Sequence, residues 1–246
     1  MYKFQLNKEY PNFKKFLLDI KQNFISSSKT IHKARNEIKI IKENELSLVV
    51  KSFKIPHFLN SFVYAYFRDS KAKKSYKYSL RIADFTPKPI GYIEFYKFTL
   101  LKESFFISEN FNYDFTIREP LLDDNFPDKE KILKAFARFT YQLHEADIFH
   151  KDYSPGNILI KKENDDFIFK VVDINRMGFF KLTTEDRAKN FSKLWASDEE
   201  LSIIATEYIK EFDTTKNFTQ MVCDYSNQNK KVKNFKKRLK GKKVND

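Results

Sequence analysis

Residues 148 to 160 read Ile148-Phe149-His150-Lys151-Asp152-Tyr153-Ser154-Pro155-Gly156-Asn157-Ile158-Leu159-Ile160, and this stretch decides the fold. It sets His150, Asp152 and Asn157 in an HxDxxxxN spacing between a helical segment and an apolar strand. Four His in 246 residues, with the Asp and Asn content of this chain, would supply about 0.02 such triplets by chance. The next strand ends in Val171-Val172-Asp173-Ile174-Asn175, which puts a second acid at a strand terminus. A carboxylate there can reach a metal held by the first loop.

Working outward, residues 128 to 145 carry Ile132, Phe136, Phe139 and Leu143 at helical spacing, with Lys131, Lys134 and Arg138 turned away, and predict an amphipathic core helix. Strands over residues 157 to 161 and 167 to 172 flank the turn formers Glu163-Asn164-Asp165-Asp166. Thr183-Thr184-Glu185-Asp186 reads as a helix start, because a hydroxyl accepts a free backbone N–H there and acids favour the positive end. Before residue 110 the chain reads as strands over 30 to 36, 37 to 42 and 46 to 53, with a Glu43-Asn44-Glu45 turn. A helix from about residue 56 to 80 and strands over 90 to 97 and 104 to 109 complete a lobe of five strands and one helix. After Asn110 the pattern turns mainly helical.

Composition bounds the rest. The 41% hydrophobic content supports a substantial core, and no apolar run approaches the roughly 18 residues that span a bilayer. The charged start lacks a secretion signal, so the expectation is a cytosolic chain. The single Cys223 excludes an intrachain disulfide framework and a cysteine-rich zinc site. The four glycines are Gly91, Gly156, Gly178 and Gly241, which excludes both a GxGxxG fingerprint and a Walker-type phosphate loop. Net charge is +13, and much of it is local, since residues 230 to 243 hold Lys and Arg without one acid. Val232, Phe235 and Leu239 fall near one helical face of that basic tail, as in a helix that lies on an anionic membrane surface. No recognisable nucleic-acid module occurs, so no nucleic-acid partner is expected.

With the catalytic-loop spacing and the later Asp173, the sequence resembles the protein-kinase-like superfamily. The resemblance implies an α+β bilobal fold, with a small antiparallel-sheet N-lobe over residues 1 to 109 and a mainly helical C-lobe over 110 to 226, followed by the basic tail, 227 to 246. It implies ATP and Mg as cofactors. Asp152 would accept the acceptor hydroxyl's proton, while Asn157 and Asp173 would hold magnesium. Lys51, on the strand of residues 46 to 53, looks like the lysine that pairs with the α- and β-phosphates, with Lys54 on the opposite face of the pleat. Two departures stand out. The phosphate-covering loop, residues 29 to 36, has no glycine and offers Lys29, Lys33 and Arg35 instead. The following helix, residues 70 to 83, has no glutamate for Lys51, leaving Ser75 near the expected place and Asp69 as the nearest acid.

About ten residues separate Asp173 from the helix start at Thr183, too few for a long activation segment, and no Ala-Pro-Glu motif follows. Residues 70 to 76, 86 to 94 (Thr86-Pro87-Lys88-Pro89-Ile90-Gly91-Tyr92-Ile93-Glu94), 172 to 177 and 187 to 195 are similar to the lipopolysaccharide core kinases. That resemblance implies phosphorylation of a sugar hydroxyl, Kdo first and heptose second, on a lipid A precursor or lipopolysaccharide core at the cytoplasmic face of the inner membrane. Arg176, three residues after Asp173, would suit a sugar carboxylate or phosphate. The other readings are a small atypical Ser/Thr protein kinase and a non-catalytic kinase-fold scaffold.

Overall fold

The computed structural model describes residues 1–28, 30–33, 36–53 and 68–241. The chain divides into two compact units, Met1–Asn112 and Tyr113–Asp246.

The first unit is built on a six-stranded antiparallel sheet. Its elements are β1 (Tyr2–Leu6), α1 (Lys14–Leu18), α2 (Ile20–Ser26), β2 (Thr30–Lys33), β3 (Asn36–Glu43), β4 (Leu46–Phe53), α3 (Lys71–Arg81), β5 (Pro89–Lys97) and β6 (Leu100–Glu109). The strand order is β1-β5-β6-β4-β3-β2. Alternation along β4 divides its side chains between two cores. Leu48 and Val50 join Ile93, Phe105 and Ile107 on one face, covered by Phe16, Leu17, Ile20 and Phe24 of α1 and α2. Phe53 lies on the other face, packed with Tyr92 and with Ala72 and Tyr76 of α3. Full burial of each large apolar side chain contributes about 1.5–3 kcal/mol, so both helical layers are strongly held. Gly91 is required by the edge strand: it pairs with Leu6, and a Cβ there would sit 2.7 Å from the Gln5 carbonyl oxygen.

Three sequence expectations change here. Of the helix expected from about residue 56 to 80, residues 54–67 lie outside the described residues; residues 68–70 are not helical, and α3 begins at Lys71, where Ser70 accepts a hydrogen bond from the Lys73 N–H and caps it. The strand expected from Ser104 begins at Leu100, because Phe98 and Thr99 form a two-residue turn with φ of 48° and 63°. Neither is a usual left-handed residue, so the sequence does not mark the turn. The sheet also gains β1 as an edge strand, and the α1 and α2 side chains Phe16, Leu17, Ile20 and Phe24 pack against one face of the sheet.

The second unit contains β7 (Phe115–Thr116), α4 (Arg118–Leu122), α5 (Lys129–Glu145), β8 (Ile148–His150), β9 (Ile158–Glu163), β10 (Asp166–Val171), β11 (Met177–Phe179), α6 (Thr184–Asn190), α7 (Asp198–Tyr208) and α8 (Phe218–Arg238). Two small sheets, β10-β9-β7 and β11-β8, frame the region between α5 and α6. Ile132, Phe136, Phe139 and Leu143 of α5 are buried, as the helical spacing requires. Phe136 stacks on Tyr153 at 5.7 Å and meets Phe191 edge-on at 6.3 Å, while Phe218 of α8 stacks on Tyr208 at 5.0 Å. Thr183 and Asp186 close a reciprocal capping box at the start of α6, the helix start expected there.

Helix α8 changes character along its length. Phe218, Val222, Cys223 and Ser226 are buried; then Asn229 donates to the Ser192 carbonyl at 2.8 Å and Lys230 to the Ala196 carbonyl at 2.7 Å. Beyond them Val232, Phe235 and Leu239 are exposed among lysines. No helix among the described residues is long and apolar enough to cross a membrane.

Candidate active site

The HxDxxxxN loop connects β8 to β9, and its residues are held mostly by backbone groups. His150 is 1% exposed. Its Nδ1 accepts the Asp152 N–H at 3.1 Å, so Nε2 carries the proton and donates to the Val172 carbonyl at 3.0 Å. Burial pushes His150 below the ordinary imidazole range, which keeps this neutral tautomer. The histidine therefore joins the catalytic loop to the residue just before Asp173. Asn157 closes the loop, its Nδ2 donating to the Asp152 carbonyl at 2.9 Å. The Val172 N–H donates to the Asn157 carbonyl at 2.9 Å, extending the β9–β10 ladder by one bond. Asn157 and Asp173 thus occupy adjacent strand ends.

Asp173 has φ 58° and ψ 40°, the left-handed region, which turns the chain sharply out of β10. Asp tolerates this conformation better than most side chains, and such strain concentrates at functional turns. Asn175 donates to Asp173 Oδ1 at 2.9 Å. The chain then returns at once, with Met177 paired to His150 and Phe179 to Ile148. No long segment intervenes before α6.

Asp152 is half-buried, and its Oδ2 lies 3.8 Å from Arg176 Nη1. That is a loose pair, with the guanidinium 60% exposed, so Arg176 keeps donors for another anion. The structure brings Asp152, Asn157, Asp173 and Arg176 together in this one unit. The oxygen donors of Asn157 and Asp173 suit magnesium, which takes one or two protein oxygens and fills its octahedron with water and phosphate. Among the described residues no cluster of three or more His, Cys, Asp or Glu forms an all-protein metal cage.

Lys51 lies in the first unit, in the cross-strand row Ile38–Lys51–Phe106–Tyr92, on the α3 face of the sheet. Its Nζ is 5.3 Å from the centre of the Phe53 ring. Asp69 is engaged by Lys73 at 2.8 Å and Lys77 at 2.7 Å, within its own helix region. Ser75 is buried in α3. A buried carboxylate on this sheet face is Glu94, which accepts from Tyr96 Oη at 2.9 Å. Lys33 lies in β2 with its side chain outside the described residues, and Lys29, Arg35 and Lys54 are outside them altogether.

Sequence reasoning missed the support beneath the loop. Asn190 donates to the His150 carbonyl at 2.9 Å and accepts from His144 Nε2 at 3.0 Å. His144 Nδ1 accepts from Tyr208 Oη at 2.8 Å, and that oxygen accepts from Arg187 at 3.0 Å. Burial lowers the His144 pKa to about 4, so it works as a neutral relay of hydrogen bonds. Tyr153, buried beside Asp152, donates to Thr140 Oγ1 at 2.8 Å, since that hydroxyl itself donates to the Phe136 carbonyl. Neither His144 nor Thr140 belongs to the apolar spacing that marks α5, and nothing local in the sequence points to their partners. Lys193 donates to the Lys151 carbonyl, next to Asp152.

A two-unit α+β chain with this loop and turn has the architecture of a protein-kinase-like phosphotransferase. The fold is similar over 94% of this chain, and 99% of the other, to a solved structure described as "WaaP in complex with acyl carrier protein", with a TM-score of 0.61 at 15% identity. Residues 86–225, more than half of the chain, match the model of the lipopolysaccharide kinase (Kdo/WaaP) family. The chain belongs to that family: it is a kinase of the lipopolysaccharide core class, and ATP use follows from that membership. No curated protein matches it in sequence.

Proposed function

We propose that the protein transfers the γ-phosphate of ATP to a hydroxyl of Kdo in the lipopolysaccharide inner core, heptose being the second choice of sugar. The observation that carries this reading is the meeting of Asp152 and Arg176 at 3.8 Å, a proton acceptor beside a cation with donors to spare. Asp152 takes the hydroxyl proton as the oxygen attacks phosphorus, the bond to the bridging oxygen breaks, and ADP leaves. Asn157 and Asp173 hold magnesium, which when bound offsets charge on the β- and γ-phosphates. Lys51 pairs with the α- and β-phosphates, and Lys33 and Arg35 stand in for a glycine-rich cover. Arg176 takes a carboxylate or phosphate of the acceptor, for which a guanidinium fork is suited.

The acceptor is lipid-anchored, so the enzyme works peripherally on the cytoplasmic face of the inner membrane. The exposed Val232, Phe235 and Leu239 set among the lysines of α8 support this placement. The test assays ATP-dependent transfer in parallel to Kdo-lipid A precursor, heptosylated core and a generic protein. Labelling of the Kdo precursor alone, or most rapidly, is the expected result. Preference for heptosylated core would replace the sugar, preference for protein would favour a small atypical Ser/Thr kinase, and no transfer to any of them a non-catalytic scaffold.

A further inference from the structure

We infer that Arg118 is a second anion-binding residue of the acceptor site, taking a phosphate or carboxylate other than the one at Arg176; this rests on the kinase reading above. Its placement starts in the backbone. Phe115 and Thr116 pair with Ile160 and Leu159 of β9, and the Ile117 N–H donates to the Ile158 carbonyl at 3.1 Å. The chain entering Arg118 therefore runs beside the strand that begins immediately after Asn157. Its side chain lies across the catalytic loop: a Cβ built on Gly156 would be 2.7 Å from Arg118 Nη2 and 3.4 Å from Cζ. Gly156 is the residue between Pro155 and Asn157, so the absence of a side chain there is what admits the guanidinium.

That guanidinium acts on Glu119 through space, but no described hydrogen bond or ion pair holds it. The adjacent acid, Glu119, is turned back to accept from the Thr116 N–H at 2.8 Å and the Thr116 hydroxyl at 2.6 Å. Among the described residues no ion pair or hydrogen bond engages the Arg118 head group, whereas Arg138 and Arg187 are each paired with glutamate. Arg118 is exposed and presents the planar fork that matches carboxylate and phosphate oxygens. Arg176 approaches Asp152 from the turn after Asp173, and Arg118 approaches the same loop from the segment before α5. Two separate guanidiniums on one loop fit a saccharide with two anionic substituents better than a neutral sugar or a plain hydroxyl side chain.

The test uses the full chain, with phosphorylated Kdo-lipid A precursor and the same precursor after phosphatase treatment as probes. Arg118→Gln should weaken equilibrium binding of the phosphorylated precursor roughly tenfold and raise its KM similarly, leaving the KM for ATP within about twofold, with Arg118→Lys intermediate. Binding of the phosphatase-treated precursor should change little where Arg118 takes a phosphate, and should weaken in parallel where it takes a carboxylate, which phosphatase leaves in place. Gly156→Ala should displace the guanidinium and weaken binding in the same direction, yet add nothing in the Arg118→Gln background. Equal binding of the phosphorylated precursor by wild type and Arg118→Gln overturns the inference, as does a rise in the KM for ATP instead. Wild-type protein that binds the precursor without phosphorylating it defeats the kinase reading while leaving this comparison of affinities decisive. Protein that binds neither form defeats both.

Discussion

The catalytic loop has two sides built on opposite principles. Beneath it, His144, Asn190, His150 and Tyr153 are buried, and each makes hydrogen bonds whose directions follow from one another. Above it, Arg176 and Arg118 are exposed, one loosely paired and the other held by no described hydrogen bond or ion pair. A buried polar group without its partner loses about 1–3 kcal/mol, so the lower side admits few arrangements. The exposed side is free to take its geometry from a ligand. The difference separates positioning from recognition: the loop is held from below so that its outer surface can be left open.

The largest effect that would break this comparison lies at Asp152. Asp152→Ala should lower phosphate transfer by about 10²–10⁴-fold while leaving nucleotide binding nearly intact, because its carboxylate serves the acceptor. Asp173→Ala should abolish transfer and weaken magnesium-dependent nucleotide binding as well. Steady-state rates beside nucleotide titrations check both; an equal loss of nucleotide affinity in the two variants would remove the distinction between base and metal ligand.

The next effect sharpens the lower side. His144 titrates near 6.5 when unfolded and at about 4 when folded, so below pH 6.5 the unfolded chain binds a proton that the folded one refuses. Its contribution is complete above the unfolded value and is lost as pH falls towards 4, amounting to about 3 kcal/mol at the end of that range. The buried His150 is shifted in the same direction. Denaturant melts between pH 7 and pH 4.5 should show falling stability, whereas a flat profile would show that the relay is not held neutral.

The smallest effect concerns α8, which repeats the contrast along one helix. Asn229 and Lys230 belong to the folded unit through their bonds to residues 192 and 196, while Val232, Phe235 and Leu239 beyond them are exposed. Deleting residues 232–246 should reduce partition onto anionic vesicles roughly a hundredfold or more, since each basic residue near a surface is worth about 1 kcal/mol. Raised salt should mimic the deletion, and turnover of a delipidated acceptor should be unchanged. Retained vesicle binding would exclude the electrostatic anchor. A deletion from residue 229 would also remove the two hydrogen bonds, so the boundary of the cut matters.

Much of the second unit was legible because its signals are local. The α5 spacing, the Thr183 cap and the loop from His150 to Asn157 each lie within a few turns of chain, where periodicity and side-chain chemistry act directly. The start of β6 was not, since Phe98 and Thr99 adopt left-handed turn geometry that their side chains do not favour and only strand pairing enforces. The residues proposed as base and metal ligands stand at spacings that residue type and order alone pick out.

The amino-acid sequence by itself determined the chemistry on offer: an Asp, an Asn and a second Asp at spacings that few chains contain, and the lysine-rich apolar face near the C-terminus. Only the tertiary structure decided who supports them. Asn190 reaches the His150 carbonyl from 40 residues away, and Arg118 settles over Gly156 because β7 pairs with β9. These contacts join segments distant in sequence, and their energies come from burial and from satisfying backbone groups that exist only once those segments have packed.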